Sequence, residues 1–289
     1  MITVSVPASS ANLGPGYDVL ALALDIRLHV TATPLDGGQS TLSVSGEGAE
    51  QLRLDDSNRF VAGLRAGLEA AGRDDVPALA IEMRNDIPLG RGLGSSAAAT
   101  VAGLLVAREM AGAPASAEQL LELAGRIEGH PENAAASLYG GFVVCAADRV
   151  VRYDPPPGLR AAVFIPQRQL ATADMRAVLP ATVGHSDAAR NAAATAAIVS
   201  AFATGDLSLL AAMYDDRLHQ PYRAAAFPEL DGLVGAAREA GALGAALSGA
   251  GSSVLALATA QTVDEVVAAL ERAARAAGLT GEARLVGLA

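Results

Sequence analysis

The chain has 289 residues, 51% hydrophobic and 18% charged, and 31 acidic groups against 21 basic ones give it a formal charge of -10. That composition excludes a disordered chain, and an acidic balance with no basic run excludes the electrostatic footprint of a nucleic-acid or anionic-membrane binder. Every basic residue is arginine, which also excludes Schiff-base chemistry and a P-loop lysine.

At the N-terminus Ile2, Val4 and Val6 alternate with Thr3 and Ser5, and further on Leu22, Leu24, Ile26, Leu28 and Val30 alternate with smaller or polar residues; both read as half-buried strands. The first nine residues carry no Lys or Arg and no continuous apolar stretch follows them, so no signal peptide is expected. Residues 7–18, rich in Gly, Pro and Ser, read as a loop between the two strands. Asp56, Ser57 and Asn58 supply N-cap candidates for a helix from about Arg59 to Ala71, and residues 78–83 read as a strand. From Ser95 to Met110 Ala, Leu and Val dominate without proline, predicting a buried helix that opens from a glycine-rich loop and stops near Gly112-Ala-Pro114. Ser116 and Gln119 form a capping box for a helix with apolar positions Leu120, Leu123, Ala124 and Ile127, ending near Gly129.

Residues 141–146 read as a strand holding the single cysteine, Cys145, which rules out an internal disulfide and predicts a cytoplasmic protein. Asp154-Pro-Pro-Pro-Gly158 is the strongest break, and it places a domain boundary between 1–153 and 159–289. Beyond it come a strand over 161–165, helices over 188–202, 207–214 and 230–240, strand-turn-strand around Ser248–Ser253, a helix over 263–277 and a last strand over 283–288. The longest uncharged window, 240–263, is broken by glycines and serines and predicts no membrane span. Helices and strands mix without a regular βαβ rhythm, so the class is α+β.

Pro88-Leu-Gly-Arg-Gly-Leu-Gly-Ser-Ser-Ala97 feeds three glycines and two serines into a helix N-terminus, where free N–H groups and the helix dipole favour an anion. The segment reads as a phosphate cradle, with a tight turn capped by Ser95 as the competing reading. Ser248-Gly-Ala-Gly-Ser-Ser253 is either a hairpin turn or a second anion nest. Glu128-Gly-His-Pro-Glu-Asn133 sets acid, imidazole and amide within six residues, against the alternative of a surface turn with a capping Asn. Ser9 to Asp18 packs polar side chains between buried strands, where each needs a partner.

These four segments, in this order along the whole chain, resemble the GHMP kinase superfamily and, within it, the homoserine kinases. The superfamily motif Pro-x3-Gly-Leu-x-Ser-Ser-Ala falls on Pro88 to Ala97 and its C-terminal glycine loop on Ser248 to Ser253. The homoserine kinase pattern adds Ser-Ala-Asn-Leu-Gly-x-Gly-(Phe/Tyr)-Asp at Ser10 to Asp18 and Glu-Gly-His-Pro-x-Asn at Glu128 to Asn133. The resemblance implies a two-domain fold, with a ribosomal-protein-S5-like N-terminal domain and a ferredoxin-like C-terminal domain. It also implies transfer of the γ-phosphoryl group of ATP to the hydroxyl of L-homoserine, with Mg²⁺, in a cytoplasmic homodimer that engages neither nucleic acid nor membrane. Another small-molecule kinase of the superfamily, acting on a different hydroxy amino acid or alcohol, is the alternative, and a silent nucleotide sensor is a third.

Carried over by position, the resemblance places the ATP phosphates on Pro88, Leu89, Gly90, Arg91, Gly92, Leu93, Gly94, Ser95, Ser96 and Ala97, and the adenine near Asn58. Mg²⁺ falls to Ser96 and to a Glu eight residues before the motif histidine, which is Glu122. Helical spacing alone sets Glu122 opposite the apolar stripe and therefore in solvent. For the amino acid the resemblance implies Asn12, Asp18, His130, Asn133, Thr172, Arg176, Arg223 and Gly249, with Asn12, His130 and Arg176 closest to the chemistry. The types suit the task, because a carboxylate such as Asp18 pairs an α-ammonium and arginine forks pair an α-carboxylate. No carboxylate in the matched motifs is set aside as a base. Ser252 stands where the family commonly has proline and Glu132 where it has Asp.

Overall fold

The computed structural model of the chain describes residues 1–73, 75–112, 115–146 and 149–289. The first half forms β1 (Ile2–Asn12), β2 (Gly16–Pro34), β3 (Thr41–Gly46), α1 (Arg59–Ala70), β4 (Leu79–Asn85), α2 (Ser95–Ala111), α3 (Ala117–Glu128), α4 (Glu132–Tyr139), β5 (Phe142–Ala146) and β6 (Arg149–Tyr153). Its sheet runs β3-β4-β2-β5-β6, with β1 also paired to β2. The 19-residue β2 serves three antiparallel partners, and its alternating Leu22, Leu24, Ile26, Leu28 and Val30 are all buried.

The expected loop over 7–18 is mostly strand. Ala8, Ser9, Ser10 and Ala11 pair with Leu24, Ala23, Leu22 and Ala21, and a register shift between Pro7 and Ala8 absorbs the proline that has no N–H to give the ladder. Small residues let this stretch be covered on both sides, Ala11, Ala21 and Ala23 packing against Ala135, Ala136 and Val143. The helix starts follow the sequence closely. Asn58 accepts from the Phe60 N–H to cap α1, and the Ser116–Gln119 capping box of α3 is complete in both directions. α2 closes on Gly112 in the left-handed region; the rest of its expected stop, Ala113-Pro114, lies outside the described residues.

The second half forms β7 (Leu159–Pro166), α5 (Thr172–Ala177), α6 (His185–Thr204), a 3₁₀ helix (Leu207–Tyr214), α7 (Gln220–Arg223), α8 (Leu230–Glu239), β8 (Gly244–Leu247), β9 (Val254–Thr259), α9 (Val263–Ala276) and β10 (Gly281–Val286). Its antiparallel sheet runs β10-β7-β9-β8, and α8 and α9 make it the βαββαβ arrangement of ferredoxin-like domains. Residues 207–214 wind as 3₁₀ rather than α, which sets the buried Leu210 and Met213 one three-residue turn apart.

One face of this sheet carries its own core, with Phe164, Leu233, Val266 and Leu270. The other face does not. Val163, Ile165, Leu255 and Leu257 join the cluster built on β2 and α2, and Phe142 of β5 stacks on Phe202 of α6 at 3.9 Å between ring centroids. The C-terminus also returns to the first sheet, where Leu288 bridges Leu24 and the Ala289 N–H donates to the Ala23 carbonyl. That return ends β10 at Val286, earlier than the sequence suggests, and one continuous core holds the two halves against each other. Among the described residues no helix is long and apolar enough to cross a membrane.

Candidate active site

A cleft of about 860 Å³, open to solvent, lies where the two halves meet. It gathers Asn12 from the end of β1 and Asp18 from the start of β2, Pro88 and Gly90 to Ala97 from the loop and first turn of α2, and His130 and Asn133 from the entry into α4. From the second half come Thr172 and Arg176 of α5, Arg223 of α7 and Gly249 of the β8–β9 loop. Segments far apart in sequence thus meet on one surface.

The N-terminus of α2 has the character of an anion site. Gly94 enters it in the left-handed region at φ 69°, no side chain caps it, and its first turn holds no acidic residue, so the leading N–H groups are free to donate. Glycine is required here by contact as well as by φ. A Cβ on Gly94 would lie 2.0 Å from Ser9 Oγ, and one on Gly92 would lie 2.1 Å from the Ser248 carbonyl oxygen.

The second glycine loop backs the first. Ser248 Oγ donates to the Gly92 carbonyl at 2.7 Å, the Ser253 N–H donates to Arg91 O at 3.1 Å, and the Ser252 hydroxyl donates to Arg168 O. Arg91 turns its guanidinium to three backbone carbonyls, of Leu89, Pro166 and Gln167, and so ties the cradle to the second half. Leu89, expected among the phosphate contacts, is not a cleft residue; its side chain rests against the turn at Gly48.

Two further expected site residues are not among those lining the cleft. Asn58 does not reach the cleft, because its carboxamide is consumed by the N-cap bond from Phe60 and by donation to Arg53 O at 2.8 Å. Glu122 does not either. Its side chain is 65% exposed on the outer face of α3 and pairs with Arg126 one turn on, as the helical spacing indicated. The carboxylate that α3 brings to the cleft is Glu128, its side chain only 6% exposed, which accepts from Thr100 Oγ1 at 2.7 Å and lies 3.8 Å from Arg59 Nε. Sequence spacing missed Glu128, although it opens the motif that ends at Asn133.

The other end of the cleft is built from charge. Asp18 and Arg176 form a two-pronged pair at 2.7 and 3.0 Å, and Arg176 also donates to the Tyr17 hydroxyl at 2.7 Å. Asp18 holds the Arg176 guanidinium above its ordinary pKa, while burial and the adjacent Asp18 raise the Tyr17 phenol. Asn12 and Asp18 both sit at positive φ, 73° and 55°, rare for residues with side chains. Asn12 spends its amide on Gly249 O at 3.0 Å and its oxygen on the Asp18 N–H at 3.1 Å, tying the first loop to the second glycine loop.

His130 Nδ1 lies 3.0 Å from Oε1 of Glu132, whose side chain is 2% exposed, and this contact raises the imidazole pKa against the opposing effect of burial. Asn133 accepts from Ser9 Oγ at 2.8 Å and donates to Glu132 at 3.1 Å. Glu132, Arg59 and Ala250 also line the cleft and were not expected. For Glu132 the available signal was its place inside the motif, where it stands in for an aspartate.

The chain matches the profile of the GHMP kinases N terminal domain over residues 58–141 and that of the GHMP kinases C terminal over residues 198–276. It is 40% identical over 293 residues to a homoserine kinase of Synechococcus sp., covering 100% of this chain and 95% of that protein. A Mycobacterium sp. homoserine kinase is 44% identical over 269 residues, 89% of this chain and 84% of the relative. The crystal structure of homoserine kinase from Cytophaga hutchinsonii superposes with a TM-score of 0.87 at 30% identity, covering 99% of this chain and 94% of that one. The chain therefore belongs to the GHMP kinases, within the homoserine kinase family.

Proposed function

We propose that this chain phosphorylates the side-chain hydroxyl of L-homoserine with Mg²⁺-ATP, giving O-phospho-L-homoserine for threonine biosynthesis. The observation that carries the reading is a single cleft with an uncapped helix N-terminus at one end and the Asp18–Arg176 pair with Arg223 at the other. An anion cradle thus faces groups complementary to a zwitterionic amino acid. Residues 1–153 and 159–289 serve as the two domains, and the cytoplasm and a homodimer are the setting this reading carries with it.

When bound, Mg²⁺-ATP supplies the γ-phosphoryl group and a cation that neutralises phosphate charge. The backbone from Gly90 to Ala97 receives the phosphates. The residues present fit a hard cation, because the Ser96 hydroxyl and the Glu128 carboxylate are oxygen donors on the cradle side and Thr100 orients the carboxylate. Asp18 takes the α-ammonium, Arg176 and Arg223 take the α-carboxylate, and Thr172 and Gly249 shape that end of the cleft. Asn12, Asn133 and His130 orient the acceptor hydroxyl. The hydrogen bonds of Asn12 to Gly249 O and of Ser9 to Asn133, with the ion-pair contact of His130 with Glu132, hold them in place before substrate arrives, so the rate comes mainly from alignment and charge neutralisation.

A panel of acceptors tests the substrate. With ATP and Mg²⁺, ADP release is expected to saturate with L-homoserine and to stay near background with mevalonate or galactose; rapid turnover of either sugar-type or mevalonate-type acceptor contradicts the reading.

The His130–Glu132 contact carries its own pH signature. Its stabilisation is fully present below the ordinary histidine pKa of about 6.5 and is lost as pH rises through the raised folded value. Glu132→Gln removes the charge and is expected to move the His130 titration to lower pH, followed by the imidazole proton resonance in NMR. An unchanged midpoint would mean that Glu132 does not hold the imidazole.

A further inference from the structure

Behind the cleft lies a buried histidine to which the mechanism assigns no step. Arg223 is 2% exposed; its Nε donates to Met175 O at 3.0 Å, and its Nη1 reaches both Gly249 O at 3.0 Å and His219 Nδ1 at 3.1 Å. A guanidinium only donates, so His219 Nδ1 accepts and carries no proton. His219 Nε2 lies 2.8 Å from the Gly14 carbonyl oxygen, which only accepts, so the proton sits on Nε2. A donor-only neighbour on one side and an acceptor-only neighbour on the other therefore fix one neutral tautomer.

The surroundings favour the same state. His219 is fully buried, and burial, reinforced by the Arg223 charge, lowers its pKa against the opposing pull of Asp216, whose Oδ2 stands 3.2 Å from Nε2. Asp216 is itself held by the N–H groups of Leu218, His219 and Gln220. The Tyr17 ring lies 5.4 Å from the imidazole and 5.5 Å from the Arg223 guanidinium, closing another side. With Nε and Nη1 committed, Nη2 is the part of Arg223 without a hydrogen-bond partner among the described residues, and Arg223 lines the cleft.

We propose that His219 is a positioning residue whose Nδ1 lone pair fixes the Arg223 guanidinium so that its Nη2 edge meets the carboxylate of the amino-acid substrate. The proposal rests on the reading of Arg223 as a carboxylate partner given above. Two amide replacements separate the two ends of the imidazole. In His219→Asn the side-chain oxygen stands near the place of Nδ1 and keeps an acceptor for Arg223. In His219→Gln the amide nitrogen stands near the place of Nε2, keeping the donor to Gly14 and losing that acceptor.

Loss of one hydrogen bond to a charged group is expected to weaken L-homoserine binding and raise its KM about tenfold in His219→Gln, with kcat and the KM for ATP within about twofold and His219→Asn within about threefold of the parent. Equal losses in the two variants, or a loss that falls on kcat or on ATP, overturn the proposal. L-Homoserine binding to the parent protein is titrated first. Its absence overturns the functional reading, whereas intact parental binding with no difference between the variants overturns the role of His219. Nitrogen-15 NMR of the parent at neutral pH is expected to find the His219 proton on Nε2, and a proton on Nδ1 overturns the proposal even if neither variant folds.

Discussion

Glu128→Gln is expected to lower kcat/KM on the order of 10²–10³-fold, while Glu122→Gln stays within about twofold of the parent, because removing a metal-ligating carboxylate forfeits several kcal/mol of transition-state charge stabilisation. The pair is informative because family position points to Glu122 and geometry points to Glu128. Glu122 stands in solvent with Arg126, whereas Glu128 is 6% exposed and anchored by Thr100. The amide keeps the shape and an oxygen for the Thr100 hydroxyl, so the substitution removes charge with little disturbance of the fold. Steady-state kinetics over a Mg²⁺ series should show a raised metal requirement in Glu128→Gln alone. A large effect in Glu122→Gln and none in Glu128→Gln would reverse the assignment.

Gly92→Ala carries the second large effect, and it falls on stability as well as activity. The residue sits at φ 73°, and its Cβ would lie 2.1 Å from Ser248 O and 2.8 Å from Gly251 N. Both obstacles are backbone, so no rotamer change relieves them and the two glycine loops must separate. A left-handed alanine costs about 1–2 kcal/mol and forced overpacking about 1–3 more, for a loss of roughly 2–5 kcal/mol in folding stability. Gly72 has nearly the same φ, 76°, with no heavy atom within 4 Å of its would-be Cβ, so Gly72→Ala isolates the conformational part. Thermal melts should rank parent, Gly72→Ala and Gly92→Ala in falling order, with ATP affinity lost only in the last. Equal melting of the two variants would mean that loop contact is not what requires glycine at position 92.

Local signals with a single physical meaning were legible in the sequence. The Asn58 cap, the Ser116–Gln119 box, the glycine stop at Gly129 and the uncapped entry into α2 each depend on a few neighbouring residues, and each is present. Short elements were not. α4 went unread because eight residues rich in alanine carry no apolar period, although Pro131 before it and Gly140-Gly141 after it mark its limits. The alternation of Leu42 and Val44 held the signal for β3, but as an edge strand paired only to β4 it is half-solvated and weakly patterned. α5, α7 and β6 are six residues or fewer, too short for a period to emerge.

The site shows the same division. Asn12, Asp18 and His130 lie in the matched motifs, Arg176 and Arg223 were carried over from the resemblance, and all five line one cleft. What each touches was not legible, because contacts such as Asp18 with Arg176 or Ser9 with Asn133 join residues more than a hundred positions apart. Counting back from His130 sets Glu122 on a face of α3 that the structure turns to solvent, whereas the end of the helix, at Glu128, points into the cleft.

The proposed reaction depends on one cleft aligning a nucleotide phosphate with the hydroxyl of an amino acid. Phosphorus-31 NMR of the protein with ATP, Mg²⁺ and L-homoserine tests it most directly. A phosphomonoester resonance growing one-for-one with ADP, and matching O-phospho-L-homoserine, is the predicted result. ADP accompanied only by inorganic phosphate, or no turnover despite bound ATP, would contradict it.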